Sequence, residues 1–152
     1  MDGLLRQERE GTLSSPSVQR TFSFLKPETL KQRLVGEVIS RLERKGLILK
    51  QLRLHQISKR EAEELYSPHK GKPFFQELVD HVTSGPVMLM VIEGPNAVET
   101  VRKLMGATNP LVAEAGTIRG DFSTSITANI IHASDSLEHA KREASVFFKD
   151  AI

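Results

Sequence analysis

The chain has 152 residues, 39 % of them hydrophobic and 26 % charged, the composition of one globular domain whose single core holds without a disulfide or structural metal. It contains no cysteine, which excludes thiol nucleophiles, thiolate zinc sites and iron–sulfur ligation and leaves His, Ser, Asp, Glu and Lys as chemical agents. Lys plus Arg at 21 against Asp plus Glu at 19 give a net charge of +2, too weak a footprint for a dedicated nucleic-acid binder.

Residues 1–19 carry scattered charge with Gly11, Ser14, Ser15, Pro16 and Ser17, show no sustained period and lack the apolar run of a secretory signal. They predict a flexible N-terminal extension ahead of a domain over 20–152. Thr21 to Leu25 alternates around Phe22 and Phe24 and predicts a strand ended by Lys26-Pro27, with Lys26 at its tip. Leu34, Val35, Val38, Ile39 and Leu42 fall at helical spacing, Glu37 and Arg41 form an i,i+4 pair, and Gly46 stops the helix. Leu47 to Ile57, with Lys50, Arg53 and His55 interleaved, predicts a long strand with one exposed face. Ser58 and Glu61 make a capping box for a short helix over 59–66. Pro73 opens a second helix with Phe74, Phe75, Leu78, Val79 and Val82 on its apolar side, and the two helices are expected to form a hairpin.

Val87 to Glu93 is bounded by Pro86 and Gly94 and predicts a buried central strand. Its apolar stretch is far shorter than the roughly 20 residues of a membrane helix, so no membrane span is expected and the protein is read as cytoplasmic. Pro95 is placed at the first position of a helix that runs through Met105 and stops at Gly106. Residues 107–127 show no clear period, and a loop of about 20 residues inside a compact domain is more often functional than idle. Asn129 to His132 predicts a short strand, Ser134-Asp135-Ser136 an N-cap cluster, Leu137 to Glu143 a helix, and Val146 to Phe148 a last strand or helix end. The simplest arrangement burying these faces is α+β: one largely antiparallel sheet covered by helices on one face.

His132 follows two isoleucines and precedes a Ser-Asp-Ser cap, where a buried strand meets a helix N-terminus and phosphate binds readily. A neutral imidazole there can act as a nucleophile, with Glu143 returning from the following helix to accept the proton of the other ring nitrogen. A buried structural histidine is the competing reading. His55, His69, His81 and His139 lie among solvent-type residues and are expected at the surface, and no pair has metal-ligand spacing. Lys26, Arg102 and Arg119 stand at a strand tip, a last helical turn and the long loop, positions from which charged heads converge on one anion. Phe74 and Phe75, near Tyr66, offer an aromatic platform for a nucleobase; adjacent helical residues point about 100° apart, so one faces outward while the other packs inward. Neither GxxxxGK[ST] nor GxGxxG occurs, so bound phosphates need another device.

The stretch Asn129-Ile-Ile-His-Ala-Ser-Asp-Ser136 is similar to the active-site signature of nucleoside diphosphate kinases. The resemblance extends over Arg20 to Phe148 and includes Thr21-Phe-Ser-Phe-Leu-Lys-Pro27, Arg33-Leu-Val-Gly-Glu37, Lys72-Pro-Phe-Phe75, Thr83-Ser-Gly-Pro-Val87, Gly106-Ala-Thr-Asn-Pro110 and Gly116-Thr-Ile-Arg-Gly-Asp-Phe122. It implies a ferredoxin-like α+β domain with a four-stranded sheet. It also implies transfer of the γ-phosphate of a nucleoside triphosphate, typically ATP, to a nucleoside diphosphate through a phosphohistidine. By this resemblance His132 is the nucleophile, Glu143 orients its imidazole, Ser134 hydrogen-bonds that carboxylate, and Tyr66 sits beside the ring. Lys26 and Asn129 contact the sugar 3′-hydroxyl and nearby phosphate oxygens, while Arg102, Thr108 and Arg119 grip the phosphates. Phe74 and Ile126, with Leu78 beside them, sandwich the base. Mg²⁺ is implied as the cofactor, held mainly by the nucleotide phosphates and not by a protein metal site. A homo-oligomer is implied as well, with 107–127 as a subunit-contact and nucleotide-lining loop.

Three departures from the family pattern stand out. Ala133 replaces a common Gly, Glu28-Thr29 replaces Asp-Gly or Asp-Ala and adds bulk near Lys26, and the chain stops at Ile152 without the tail that braces a neighbouring subunit in longer members. Hexamer, tetramer and dimer therefore all stay open. Two other functions compete with the kinase: a catalytically silent nucleotide sensor or interaction module of the same fold, and a single-strand nucleic-acid binder using Phe74 and Tyr66.

Overall fold

The computed structural model describes residues 17–152. Most of the extension expected over 1–19 lies outside the described residues; the first strand already begins at Val18, two residues ahead of the boundary read from the pattern.

The elements run β1 (Val18–Leu25), α1 (Pro27–Lys31), α2 (Val35–Arg44), β2 (Ile48–His55), α3 (Lys59–Leu65), a 3₁₀ turn (Ser67–His69), α4 (Phe75–Val82), β3 (Val87–Pro95), α5 (Ala97–Met105), α6 (Ile118–Phe122), β4 (Ile131–Ala133) and α7 (Leu137–Ser145). The four strands form one sheet in the order β2-β3-β1-β4, and every neighbouring pair is antiparallel. This is the ferredoxin-like α+β fold. The longest apolar run, β3, lies beside β1 at the centre, and the short β4 closes one edge beside β1.

Local chemistry accounts for the element ends. Ser58 accepts from the Glu61 amide at 3.1 Å while the Glu61 carboxylate accepts from the Ser58 amide at 2.9 Å, the reciprocal box that starts α3. Gly46, at φ 96°, supplies the left-handed residue after α2, whose Glu37–Arg41 pair is present at 3.5 Å. Phe75 packs on the core whereas Phe74 is 44 % exposed, the inward and outward split expected for helical neighbours.

The cover is on both faces of the sheet, contrary to the single covered face read from the sequence. Phe22, Phe24, Val87, Leu89 and Val91 pack under the α3–α4 hairpin and α7. Leu25, Met90 and Ile92 pack on the opposite face under α2, α5 and α6. Thr21 and Ser23, which mimic the solvent side of a half-buried strand, are wholly buried there. Four element assignments also change. α4 begins at Phe75 and not at Pro73. Pro95 ends β3 opposite Val18, where the missing N–H does no harm, and α5 begins at Ala97 after a left-handed Asn96. β4 starts at Ile131 and not Asn129, because Ile130 has φ 75° and breaks the extended backbone. Val146 to Phe148 form turns after α7 that close the core with Phe147 and Phe148.

The loop over 107–127 is not irregular throughout, since it contains α6. Thr117 caps α6 by accepting from the Gly120 amide at 3.0 Å, and any Cβ at Gly120 would collide with the carbonyl of Glu114. Asp121 ties the loop to α2 through Arg41 at 2.7 Å and accepts from the Gly116 amide at 2.9 Å. Among the described residues no helix is long and apolar enough to cross a membrane.

Candidate active site

One ring face and one nitrogen of His132 are fixed by its surroundings. β4 hangs on β1, with Phe24 opposite His132 in the register, and the imidazole stacks on the Phe24 ring at a centroid separation of 4.9 Å and 22° between planes. Tyr66 meets it edge-on at 6.5 Å. The Nε2 of His132 lies 2.5 Å from Oε1 of Glu143, and the same carboxylate oxygen accepts from the Ser134 hydroxyl at 3.0 Å. Because an ionised carboxylate only accepts, Nε2 carries the ring proton, and in the neutral imidazole Nδ1 then keeps its lone pair.

Glu143 is 6 % exposed. Burial pushes its carboxyl upward, but hydrogen bonds from His132 and Ser134 and the charges of His132 and Arg142 outweigh this and hold it below the usual glutamate range. Tyr66 moves the opposite way, since burial and the charges of Glu143 and Glu28 raise its phenol and keep it a protonated donor.

His132 and Glu143 line a cavity of about 450 Å³ together with Lys26, Tyr66, Leu78, Arg102, Thr108 and Arg119. Seven positions read from the sequence as catalytic or phosphate-gripping thus meet in one hollow. Lys26, at the end of β1, is 8 % exposed and donates from Nζ to Oδ1 of Asn129 at 2.6 Å. Burial lowers its pKa to about 8, with Glu28 opposing and Arg119 adding to the drop. Asn129 in turn donates to the carbonyl of Thr108 at 3.3 Å. Arg119 is 5 % exposed and donates to three carbonyls, of Asn129 at 3.2 Å, Gly106 at 3.2 Å and Ile131 at 2.8 Å. A guanidinium has five N–H groups, so two remain for a ligand; burial and the neighbouring Arg102 push its pKa down to about 10. Arg102 reaches over from α5 to the carbonyl of Ala133 at 3.1 Å.

Two expected base contacts lie at the rim and not in the cavity wall. Phe74 stands beside His69 at 5.4 Å between ring centroids, with the Lys72 ammonium 5.7 Å from its ring centre. Ile126 is 58 % exposed, and its neighbour Thr127 donates to Glu77 of α4 at 3.2 Å, which brings that segment to the helix beside Phe74.

Four polar lining residues escaped the sequence reading: His69, Asp135, His139 and Arg142. His69 and His139 are partly exposed, as expected of surface residues, and also line the cavity, while the partly exposed His81 donates to the buried Glu28 at 2.8 Å. The i,i+4 spacing of Asp135 and His139, which bond at 2.6 Å, was a legible signal. Arg142 had none: it reaches across to the carbonyls of Glu64 at 3.4 Å and Leu65 at 3.3 Å and to Glu143 at 3.6 Å only because α7 packs beside the end of α3.

The cavity thus presents Lys26, Arg102, Arg119 and Arg142 against Asp135 and the engaged Glu143, a polyanion receptor with an oriented nucleophile. Among the described residues, no three His, Asp or Glu side chains lie close enough together to hold a metal ion.

Comparisons with known proteins point to one family. Residues 19–152 match the family model described as nucleoside diphosphate kinase. The nucleoside diphosphate kinase of Kosmotoga olearia is 54 % identical over 131 residues, covering 86 % of this chain and 89 % of that protein. That of Sulfurisphaera tokodaii is 54 % identical over 134 residues, covering 88 % and 91 %. Among solved structures, a halophilic nucleoside diphosphate kinase from Halobacterium salinarum in complex with CDP superposes with a TM-score of 0.84 at 43 % identity, covering 88 % of this chain and 90 % of that one.

Proposed function

The chain belongs to the nucleoside diphosphate kinase family and is a phosphotransferase acting on nucleotides, and on that premise we propose that His132 carries the phosphoryl group between donor and acceptor. The observation supporting this is the hydrogen bond from Nε2 to Glu143, which leaves Nδ1 as the nucleophilic nitrogen. Nδ1 attacks the γ-phosphorus, the bond from that phosphorus to the bridging oxygen breaks, and the diphosphate leaves with the electron pair. The acceptor diphosphate then attacks the phosphohistidine and regenerates the free ring. Nε2 keeps its proton throughout, so Glu143 acts by fixing the tautomer and balancing charge.

Phosphoryl transfer asks mainly for positioning and charge stabilisation. In this reading Arg102, Thr108 and the two spare N–H groups of Arg119 grip the phosphates, and Lys26 with Asn129 contacts the sugar 3′-hydroxyl and nearby phosphate oxygens. Phe74, Leu78 and Ile126 hold the base by its faces, which leaves its identity of little consequence. The family uses a divalent metal; here the donor is taken as its Mg²⁺ complex, with the cation carried mainly by the nucleotide phosphates. Mg²⁺ supplies neutralisation of phosphate charge when bound.

A silent sensor of the same fold would lack the nucleophile or the phosphate-gripping side chains, yet His132, Lys26, Arg102 and Arg119 converge on one cavity. Self-association is supported by the outer strand β2, which exposes Ile48, Leu52 and Leu54, and by Leu111 and Val112 on the long loop. The cytoplasm, where nucleotide pools are held, is the compartment this activity points to. Initial rates with ATP and a second diphosphate varied together test the double displacement: parallel reciprocal plots support it, and intersecting plots refute a phosphoenzyme.

A further inference from the structure

Ile130 has φ 75°, a left-handed conformation that is a genuine outlier for a β-branched side chain. The other non-glycine residues with positive φ among those described, Arg33, Asn96 and Asp150, are not β-branched. Ile130 is also completely buried, follows Asn129 directly and precedes His132 by two residues. A strained residue persists only where its surroundings over-determine it.

Those surroundings come from the segment after β1, residues 26–29. The carbonyl of Ile130 accepts from the Lys26 amide at 2.8 Å and from the Thr29 hydroxyl at 2.6 Å. Its amide donates to Oε2 of Glu28 at 3.2 Å. The second oxygen of Glu28, Oε1, accepts from Nε2 of His81 at 2.8 Å, and the Glu28 side chain is only 10 % exposed. Burial pushes the Glu28 carboxyl upward, but the bonds from His81 and the backbone outweigh it and keep the group ionised. None of these groups enters the phosphoryl transfer, yet they hold the one backbone kink that aims Asn129 toward Lys26 and starts the strand carrying His132.

We propose that Glu28, itself held by His81, is a positioning residue that pins Ile130 in its left-handed conformation and thereby sets the placement of Asn129 and His132. This rests on the reading of those two residues as binding and reacting groups. Removing the Glu28 carboxylate leaves a buried amide unpaired at a strained position, which relaxes the kink and moves both residues.

The test follows phosphorylation of His132 by γ-labelled ATP in a single turnover, with hydrogen exchange at the Ile130 amide read in parallel, on the full chain and its Glu28→Ala and Glu28→Gln variants. Glu28→Ala is expected to slow phosphorylation on the order of 100-fold, the scale of a misplacement near 1 Å, and to lose protection at Ile130. Glu28→Gln keeps an oxygen acceptor and recovers most of both. Wild-type phosphorylation by Glu28→Ala, or an undiminished Ile130 protection in it, overturns the proposal. So does a Glu28→Gln protein as slow as Glu28→Ala while its Ile130 amide stays protected. If Glu28→Ala does not fold, His81→Ala takes its place: slower labelling and faster Ile130 exchange, both reversed in His81→Gln, uphold the pin, and wild-type behaviour overturns it. A parent protein that takes no label on His132 defeats the nucleophile assignment instead, and Ile130 exchange still decides whether Glu28 pins the kink.

Discussion

The imidazole of His132 lies nearly parallel to the ring of Phe24, 4.9 Å away between centroids, so the nucleophile rests on an apolar floor while Glu143 holds its edge at 2.5 Å. Stack and hydrogen bond together leave the ring one orientation, with Nδ1 free.

Phe24 is therefore expected to serve both stability and chemistry. It is fully buried, so Phe24→Ala should lower unfolding free energy by about 3–5 kcal/mol in denaturant titration. Phe24→Leu keeps most of the volume and should fold, yet label His132 more slowly than the parent. Equal labelling rates would show that the floor contributes nothing to ring placement.

Glu143 gives a pH signature. Its carboxyl is held below the usual range in the folded protein, so its stabilising contribution is present above about pH 4.5, the ordinary glutamate value, and is lost as pH falls through the depressed folded value. Glu143→Gln should therefore show a shallower loss of stability on acidification than the parent. Near neutral pH the same variant should phosphorylate by about 10²–10⁴ more slowly, because the ring tautomer is no longer fixed. Parallel acid stability curves would remove Glu143 from this account.

Lys26 titrates near pH 8 in the free protein. A bound phosphate favours its charged form and raises that pKa, so nucleotide binding takes up a proton as pH passes above about 8. Affinity for ADP should then fall with rising pH. Calorimetry in two buffers of different ionisation heat measures the uptake, which Lys26→Met should abolish; uptake unchanged in the variant would assign the proton to another group.

Phe74→Ala should weaken nucleotide binding by about 1–3 kcal/mol, the range of base stacking, similarly for purine and pyrimidine diphosphates. Unchanged affinity would leave the exposed ring at the cavity rim without a role.

Much of this site was legible because its cues are local. Ser58 and Glu61 cap α3 from within one turn, the β3 run admits only a central place, and Asn129 to Ser136 place the nucleophile beside a helix start. What stayed illegible depends on contacts far apart in the chain. α6 spans five residues and contains Gly120, and it exists through the Thr117 cap and the reach of Arg41 to Asp121. Thr21 and Ser23 read as a wet face because nothing local announces that α5 covers them; Ser23 instead donates to the carbonyl of His132 at 2.6 Å. The kink at Ile130 is set by Glu28, 102 residues away, and no residue type near Ile130 signals a left-handed backbone.

The most direct test of the phosphohistidine is to incubate the purified protein with γ-labelled ATP and Mg²⁺, then add an unlabelled diphosphate such as GDP or dCDP. The account predicts acid-labile, alkali-stable label on His132 that leaves as the new triphosphate, and none on a folded His132→Ala protein. A folded protein that binds nucleotide but takes no label, or takes it equally without His132, would contradict it.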